Sequence, residues 1–240
     1  MRPWQAPLIL MYHAVADVAE DPYHLAVSPA RLDSQLRTLR RLGLRGVAVG
    51  ELFDAMTTGR ARGLVGLSFD DGYADFAANA VPVLRRHGCG ATVFVVTDRL
   101  GKTNDWDAGP VWPLLDADGV RELAEAGIEI GSHTATHVRL AGLEPEALAA
   151  ELRSSRDTLA DLLGSAPRGF AYPYGSVDRA ARDAVRAAGY RYACAVSPPR
   201  SGLSYLTLPR SYAGERDDPA RLTAKWALHR VRTAIRGGSL

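Results

Sequence analysis

The sequence has few cysteines, no long hydrophobic run and no marked excess of charge of one sign. Only Cys89 and Cys194 occur in 240 residues, so a disulfide-rich scaffold is excluded. Both adjoin apolar segments and are expected to be buried free thiols, with a single disulfide between them as the alternative. No segment is long enough to span a bilayer. The net charge of +2 gives no indication of a nucleic acid or an acidic surface as partner.

The N-terminal segment also lacks the features of a secretory signal peptide. Its apolar run is short, and it ends in Tyr12 and His13 rather than at a small-residue cleavage site. We therefore expect a cytoplasmic protein, unless a leader was removed from the chain.

What the sequence does contain is an alternation of short apolar runs with longer amphipathic segments. Strands are predicted at 8–11, 64–69, 91–96, 128–130, 169–172, 190–196 and 206–208, and helices at 29–42, 75–87, 118–126, 144–163, 177–188 and 219–235. Such alternation is typical of βα units around a mainly parallel sheet. About seven units in a chain of this length, without a linker or repeat, favour an α/β barrel in one domain over 1–240.

Two segments carry the most informative polar residues. Asp70 and Asp71 end the apolar run that begins at Leu64, and His133 and His137 follow a second short run. One carboxylate and two imidazoles are typical ligands of a catalytic metal that keeps a position open for water. The other carboxylate is then free to act as a base. If the second segment is helical, the i, i+4 spacing places both histidines on one face. The alternative is that the aspartates cap a turn and the histidines lie on the surface.

The predicted ends of the strands bring these residues together. In barrels of parallel strands, reactive side chains gather where the strands end. Asp70, His133, Tyr174 and His13 each follow a different predicted strand. We expect them to meet at one end of the barrel. The long loop 98–116 is predicted to form a wall of the cleft beside them.

The same segments resemble the motifs of a known family. Ser-Phe-Asp-Asp-Gly at 68–72 resembles the first motif of the polysaccharide deacetylases, the metal-dependent carbohydrate esterases. His-Thr-Ala-Thr-His at 133–137 resembles the second motif, and Tyr-Pro-Tyr-Gly at 172–175 resembles the third. The resemblance runs in order from about Leu8 to about Arg210. It implies a distorted (β/α)7 barrel, a single catalytic domain of this type over 1–240, and hydrolysis of N-acetyl groups on an amino sugar.

The resemblance also implies a role for each residue. Asp71, His133 and His137 would hold a divalent metal, with Zn²⁺ as the first choice for such a ligand set. Asp70 would be the general base. The backbone N–H of Tyr174 would stabilise the tetrahedral oxyanion together with the metal.

The sequence departs from the family pattern at two places. The third motif usually carries an arginine where this chain has Ala171, and the late strand, 206–210, lacks the usual histidine. The orienting arginine and the general acid are therefore missing from their usual positions.

Two other residues are candidates to replace them. His13 lies in a Tyr-His-x-Val segment that resembles the N-terminus of the branch containing the biofilm poly-N-acetylglucosamine deacetylases, which implies that it is the general acid. Arg210 is a candidate to supply positive charge beside Asp70. The alternatives are a core histidine and an ordinary rim arginine. Trp106 and Trp112 would either stack on a sugar or pack the long loop.

The sequence thus predicts a metal-dependent N-deacetylase acting on an N-acetylated carbohydrate. Two other hypotheses stay open. One is a metal-dependent amidohydrolase acting on a non-sugar amide. The other is a catalytically silent sugar-binding module, which the presence of both a base and metal ligands disfavours.

Overall fold

The barrel is closed by seven parallel strands. The computed structural model describes residues 6–196 and 204–237. The strands are β1 (Ile9–Tyr12), β2 (Ala14–Val15), β3 (Ala26–Val27), β4 (Arg45–Val47), β5 (Leu64–Phe69), β6 (Thr92–Val95), β7 (Glu129–Ser132), β8 (Gly169–Ala171), β9 (Tyr192–Val196) and β10 (Leu208–Tyr212). Strand β1 pairs with both β5 and β10, and the order from β10 back through β9, β8, β7 and β6 returns to β5. The predicted (β/α)7 barrel is confirmed.

Three short strands were not predicted. Strand β4 pairs only with the first half of β5, from Arg45 opposite Leu64 to Val47 opposite Gly66. Strands β2 and β3 form a separate parallel pair. Strands of two or three residues are too short to show an apolar period, so the sequence gives no signal for them.

Seven α-helices of the described residues surround the barrel. They are α1 (Pro29–Arg41), α2 (Val49–Thr57), α3 (Val81–Arg86), α4 (Ala117–Glu125), α5 (Pro145–Leu163), α6 (Arg179–Ala187) and α7 (Pro219–Gly237). Ser28 caps α1, since its Oγ accepts the N–H of Arg31 at 3.2 Å. Helix α2 was not predicted. No helix in the described ranges is long and apolar enough to cross a membrane.

Two predicted elements differ from the structure. The helix predicted over 75–87 is a π-helical turn at Phe76–Ala80 followed by α3. Pro82 has no backbone N–H, so the regular i to i−4 ladder is interrupted there. The late strand is not 206–208 but β10, which begins at Leu208, continues through Pro209 to Tyr212 and lies between β9 and β1.

The core explains why one end of the barrel stays open. A cluster inside the barrel contains Ile9, Leu52, Phe94, Tyr192 and Leu208, and it fills the end where the strands begin. A larger cluster lies between the barrel and the helices. Cys194 is buried, Cys89 is half-buried and both are free, so the predicted free thiols are confirmed. The ends where the strands finish are left for polar residues.

Candidate metal centre and active site

The two aspartates follow β5 in a sharp turn that separates their carboxylates. Asp70 donates its backbone N–H to the carbonyl of Tyr12 at 2.9 Å, which continues the pairing with β1. Asp71 then adopts φ 72° and Gly72 φ 79°. A Cβ at position 72 would lie 2.9 Å from Cγ1 of Val95, so the turn requires glycine. The chain reversal lets the two adjacent carboxylates meet different partners.

Asp71 meets the two histidines. Its Oδ1 lies 3.4 Å from Nε2 of His133 and 3.4 Å from Nε2 of His137, and all three side chains are buried. Nδ1 of His133 lies 2.8 Å from the carbonyl of Ala171. That carbonyl can only accept, so Nδ1 carries the proton, and in the neutral imidazole Nε2 is the nitrogen that is free to ligate a metal. The three ligand atoms lie within 4.8 Å of one another, as one bound divalent ion requires.

The pKa values in this cluster favour the protonation states that bind a metal. Burial disfavours ionisation of Asp71, but His133 and His137 outweigh it and hold the pKa of Asp71 well below its ordinary value. Burial lowers the pKa of His137. A metal binds an ionised carboxylate and neutral imidazoles, so the donor set fits a divalent ion.

The histidines lie on a loop rather than on a helix. His133 follows β7, and Thr134 and His137 both adopt a left-handed backbone, each with φ 68°. The condition for a one-face helical placement is therefore not met, and the chain reversals bring the two rings together instead. Oγ1 of Thr134 accepts the N–H of His137 at 2.9 Å. Glu151 of α5 accepts the N–H groups of residues 135 and 136, each at 3.0 Å, and so ties the loop to the barrel wall.

Asp70 meets Arg210 in a bidentate ion pair. Nη1 of Arg210 lies 2.5 Å from Oδ1 of Asp70, and Nη2 lies 2.6 Å from Oδ2. Nη1 also donates to Oγ of Ser68 at 3.2 Å. Both charged side chains are almost fully buried, with 1% and 3% exposure. Burial disfavours the charged carboxylate, but Arg210, together with His133 and His13, outweighs it and keeps the pKa of Asp70 below its ordinary value.

The position of Arg210 shows how the chain compensates for the alanine that stands at 171 in place of the usual arginine. Residues 208 and 210 of β10 are buried while 209 and 211 are partly exposed, so Arg210 lies on the inward side of the strand. Ala171 ends β8 and is fully buried, and its carbonyl is the partner of His133. A guanidinium therefore reaches Asp70 from β10, two strands away from the position where the family pattern carries it.

His13 faces the same cavity. The cavity has a volume of about 410 Å³, and Asp70, Asp71, His133, His137 and Arg210 line it together with His13. Nδ1 of His13 is buried and has no hydrogen-bond partner among the described residues. Its charge when protonated lowers the pKa of both aspartates. A larger cavity of about 640 Å³, lined by Asp17, His24 and Glu215, contains none of the predicted site residues.

The loop 98–116 forms one wall of this cavity, as predicted. The ring of Trp106 lies 4.2 Å from that of His137, centroid to centroid. Asp107 accepts the hydroxyl of Tyr174 at 3.0 Å. Tyr174 has a left-handed backbone, φ 56°, and its ring lies 3.9 Å from the guanidinium carbon of Arg139. Trp112 packs on Tyr73 instead, with ring centroids 5.6 Å apart.

Three residues of the site were not predicted from the sequence, namely Asp107, Arg139 and Glu151. Ser68 lies in the first motif, but its contact with Arg210 was not predicted. Asp107 and Tyr174 are 67 positions apart, and Glu151 reaches back 15 or 16 positions to the histidine loop. No local pattern records such contacts, because they depend on how loops and helices pack on the finished barrel.

Comparison with known proteins agrees with this geometry. The sequence model described as polysaccharide deacetylase matches residues 58–193. YxkH of Bacillus subtilis, which carries the name of a polysaccharide deacetylase, is 26% identical over 235 residues, covering 97% of this chain and 73% of that protein. The deacetylase PplD of Streptococcus pyogenes, solved in complex with acetate, superposes with a TM-score of 0.78 at 26% identity, covering 92% of this chain and 98% of the other.

A further solved structure shares the fold. The de-N-acetylase of Aggregatibacter actinomycetemcomitans has a TM-score of 0.78 at 23% identity, covering 92% of this chain and 99% of the other. The family match spans more than half of the chain and includes both aspartates, both histidines and Tyr174. The chain therefore belongs to the polysaccharide deacetylase family.

Proposed function

We propose that the protein hydrolyses N-acetyl groups of an N-acetylated amino sugar, in an oligosaccharide, polysaccharide or glycoconjugate, and releases acetate. One observation carries the proposal. The Asp70–Arg210 pair and the cluster of Asp71, His133 and His137 line a single cavity. A base and a set of metal ligands in one cavity are what amide hydrolysis needs, and a sugar-binding module needs neither.

The cluster of Asp71, His133 and His137 is the proposed metal site, with Zn²⁺ as the ion. A divalent ion held there would polarise the acetamide carbonyl and make a water molecule more acidic. The chain's own contribution is to fix the ligands before the substrate arrives. The bond from His133 to the carbonyl of Ala171 sets the tautomer, and Glu151 holds the loop that carries both histidines.

Asp70 is the proposed general base. Arg210 keeps it ionised at neutral pH and fixes its orientation through two hydrogen bonds. Each carboxylate oxygen has a second lone pair, so Asp70 can still accept a proton from a water molecule in the cavity. The backbone N–H of Tyr174 is the proposed donor to the oxyanion that develops on the acetyl carbonyl.

His13 is the proposed general acid. The amine of the sugar leaves only if a proton reaches its nitrogen, and histidine is well suited to supply one near neutral pH. The position of His13 in the cavity and its unpartnered Nδ1 support this role.

The release of acetate from a panel of N-acetylated sugars tests the proposed function. We expect turnover on at least one amino-sugar oligomer, loss of turnover on metal chelation and recovery on adding Zn²⁺. Asp71→Ala and His137→Ala should lose both bound metal and activity while the circular dichroism spectrum is retained. Release only from non-sugar amides would favour the amidohydrolase hypothesis. Binding of sugars without any release would favour the silent module, and full metal occupancy in His137→Ala would remove that ligand.

The role of His13 is tested by changing the leaving group. His13→Ala should reduce turnover of an N-acetyl sugar by about 10²–10⁴-fold, since general acid catalysis contributes about that much. It should cost far less on an activated aryl acetate, whose leaving group departs without a proton. Equal losses on both substrates would mean that His13 positions the substrate or supports the fold.

A further inference from the structure

The two histidines of the candidate metal centre are supported in different ways. The ring of His133 is fixed by the hydrogen bond from its Nδ1 to the carbonyl of Ala171. Nδ1 of His137 is buried as well, but it has no hydrogen-bond partner in the part of the chain that the structure describes. An imidazole that binds a metal is usually oriented by a partner at its other ring nitrogen. The orientation of His137 therefore depends on contacts of another kind.

Aromatic rings supply these contacts. The ring of Trp106 lies 4.2 Å from that of His137, centroid to centroid, and the two ring planes differ by 31°. The ring of Tyr174 lies 4.7 Å from that of His137, at a steeper angle of 57°. Rotation of the imidazole about χ2 would drive its atoms into these neighbours, because packed side chains leave little free volume. Trp106, with the smaller distance and angle, is the main restraint on the ring.

Trp106 is itself held by the loop 98–116. Asn104 is buried, and its backbone N–H donates to the carbonyl of Trp112 at 3.2 Å. Its Oδ1 accepts the backbone N–H of Trp112 at 2.6 Å. These two bonds close the base of the segment 105–111, which carries Trp106. A segment with a closed base has fewer conformations open to it, so the position of Trp106 is restricted.

The loop is also fastened to the turn that carries another metal ligand. Leu115 donates its backbone N–H to the carbonyl of Gly72 at 2.8 Å, directly after Asp71 in the chain. One end of the loop thus contacts the aspartate turn, and Trp106 contacts His137. Because these two ligands follow different strands, a rigid connection between them helps to keep their separation constant.

We propose that Trp106 is a positioning residue of the metal centre, which orients the ring of His137 and so strengthens metal binding. The inference rests on the proposed metal site of Asp71, His133 and His137. Trp106 also lines the cavity, so a platform on which a sugar stacks is the competing role. A platform acts on the binding of substrate, whereas a positioning residue acts on the binding of the metal in the absence of any substrate.

Competition for Zn²⁺ between the loaded protein and a chromogenic chelator tests the proposal without a substrate. Trp106→Ala should raise the dissociation constant for Zn²⁺ by about 10–100-fold, the usual cost of losing a group that supports a metal ligand. Trp106→Phe keeps an aromatic ring and should recover most of this loss. Val111→Ala changes an exposed residue of the same segment, at 57%, and should bind Zn²⁺ as the wild type does.

Two further measurements separate metal binding from folding and from substrate binding. The urea midpoint of each variant without metal reports whether it folds, and Trp106→Leu, which should show the same loss of affinity, replaces the alanine variant if that variant does not. A dissociation constant that stays at the wild-type value would overturn the proposal. A rise in KM for an N-acetylated sugar with unchanged Zn²⁺ affinity would make Trp106 a sugar platform instead.

The outcome also stays distinct from that of the proposed function. If no N-acetylated sugar is hydrolysed but Zn²⁺ affinity still depends on Trp106, the proposed function is wrong and the role of Trp106 stands. If acetate is released normally and Val111→Ala weakens Zn²⁺ binding as much as Trp106→Ala does, the function stands. The specific role of Trp106 is then overturned.

Discussion

Each end of the barrel holds a carboxylate in a polar network, but the surroundings of the two carboxylates differ. Where the strands begin, Glu129 accepts the N–H of Gly50 at 2.8 Å and the hydroxyl of Thr92 at 2.6 Å. The rings of Phe53 and Tyr192 stack in the interior cluster at this end, with centroids 5.7 Å apart. This carboxylate accepts its hydrogen bonds from a backbone amide and a hydroxyl beside a packed core. Its role is therefore to stabilise the fold.

Where the strands finish, the backbone is strained and the polar groups face open space. Five non-glycine residues in the described ranges have positive φ, and four of them are Asp71, Thr134, His137 and Tyr174. Such conformations cost about 1–3 kcal/mol each, and they persist only where the surrounding structure enforces them. The strained residues and the candidate catalytic groups thus share the end where the strands finish, which is the end where parallel barrels place their active sites.

The sharpest test of this division is Asp70→Asn. The amide keeps the size of the side chain but cannot accept the proton, so kcat/KM for acetate release should fall by about 10²–10⁴-fold. Elemental analysis should show that the metal is retained, since Asp71 and the histidines are unchanged. Acetate release close to the wild-type rate would refute the assignment of Asp70 as base.

A second test removes the partner of that carboxylate. Arg210 is the largest of the charges that offset burial and keep the pKa of Asp70 low, so its loss in Arg210→Met should raise that pKa. The acidic limb of the kcat/KM profile should therefore move to higher pH. Because the native pair lowers the pKa of Asp70, its stabilisation is present above the ordinary carboxyl pKa and is lost as the pH falls below it.

The same variant leaves a carboxylate buried without its partner at neutral pH. The free energy of unfolding should drop by about 3–5 kcal/mol, measured by urea denaturation. Arg210→Lys keeps the charge but loses the bidentate geometry, and it should give a smaller shift in the same direction. An acidic limb that stays in place in both variants would separate Arg210 from the function of Asp70.

The smallest expected effect on activity comes from a change at the end of the barrel where the strands begin. Glu129→Ala removes the one carboxylate oxygen that accepts both the N–H of Gly50 and the hydroxyl of Thr92, and an unsatisfied buried group costs about 1–3 kcal/mol. We expect the urea midpoint to fall while kcat/KM stays within about twofold of the wild type. A large loss of activity without a loss of stability would contradict the division between the two ends.

The parts of the molecule that could be predicted are those with a local signal. The alternation of apolar runs and amphipathic segments predicted the barrel. The residues that follow its strands, such as Asp70, His133 and Tyr174, were placed at the correct end. Strand β4 and helix α2 were missed, and the histidine loop is not helical, because left-handed residues at 134 and 137 leave no trace in the apolar pattern. The support from Glu151 depends on how α5 packs beside β7, which the sequence does not specify.

The pairing of β1 with both β5 and β10 has a consequence for folding during synthesis on the ribosome. Asp70 leaves the ribosome 140 residues before Arg210, and until β10 is in place the barrel has an open side next to β1. Burying an ionised carboxylate without a partner costs free energy. The early strands therefore cannot hold Asp70 in its final position before Arg210 is present. Closure of the sheet and neutralisation of this charge therefore both require β10. A nascent chain that stops short of β10 has neither a closed barrel nor a paired Asp70.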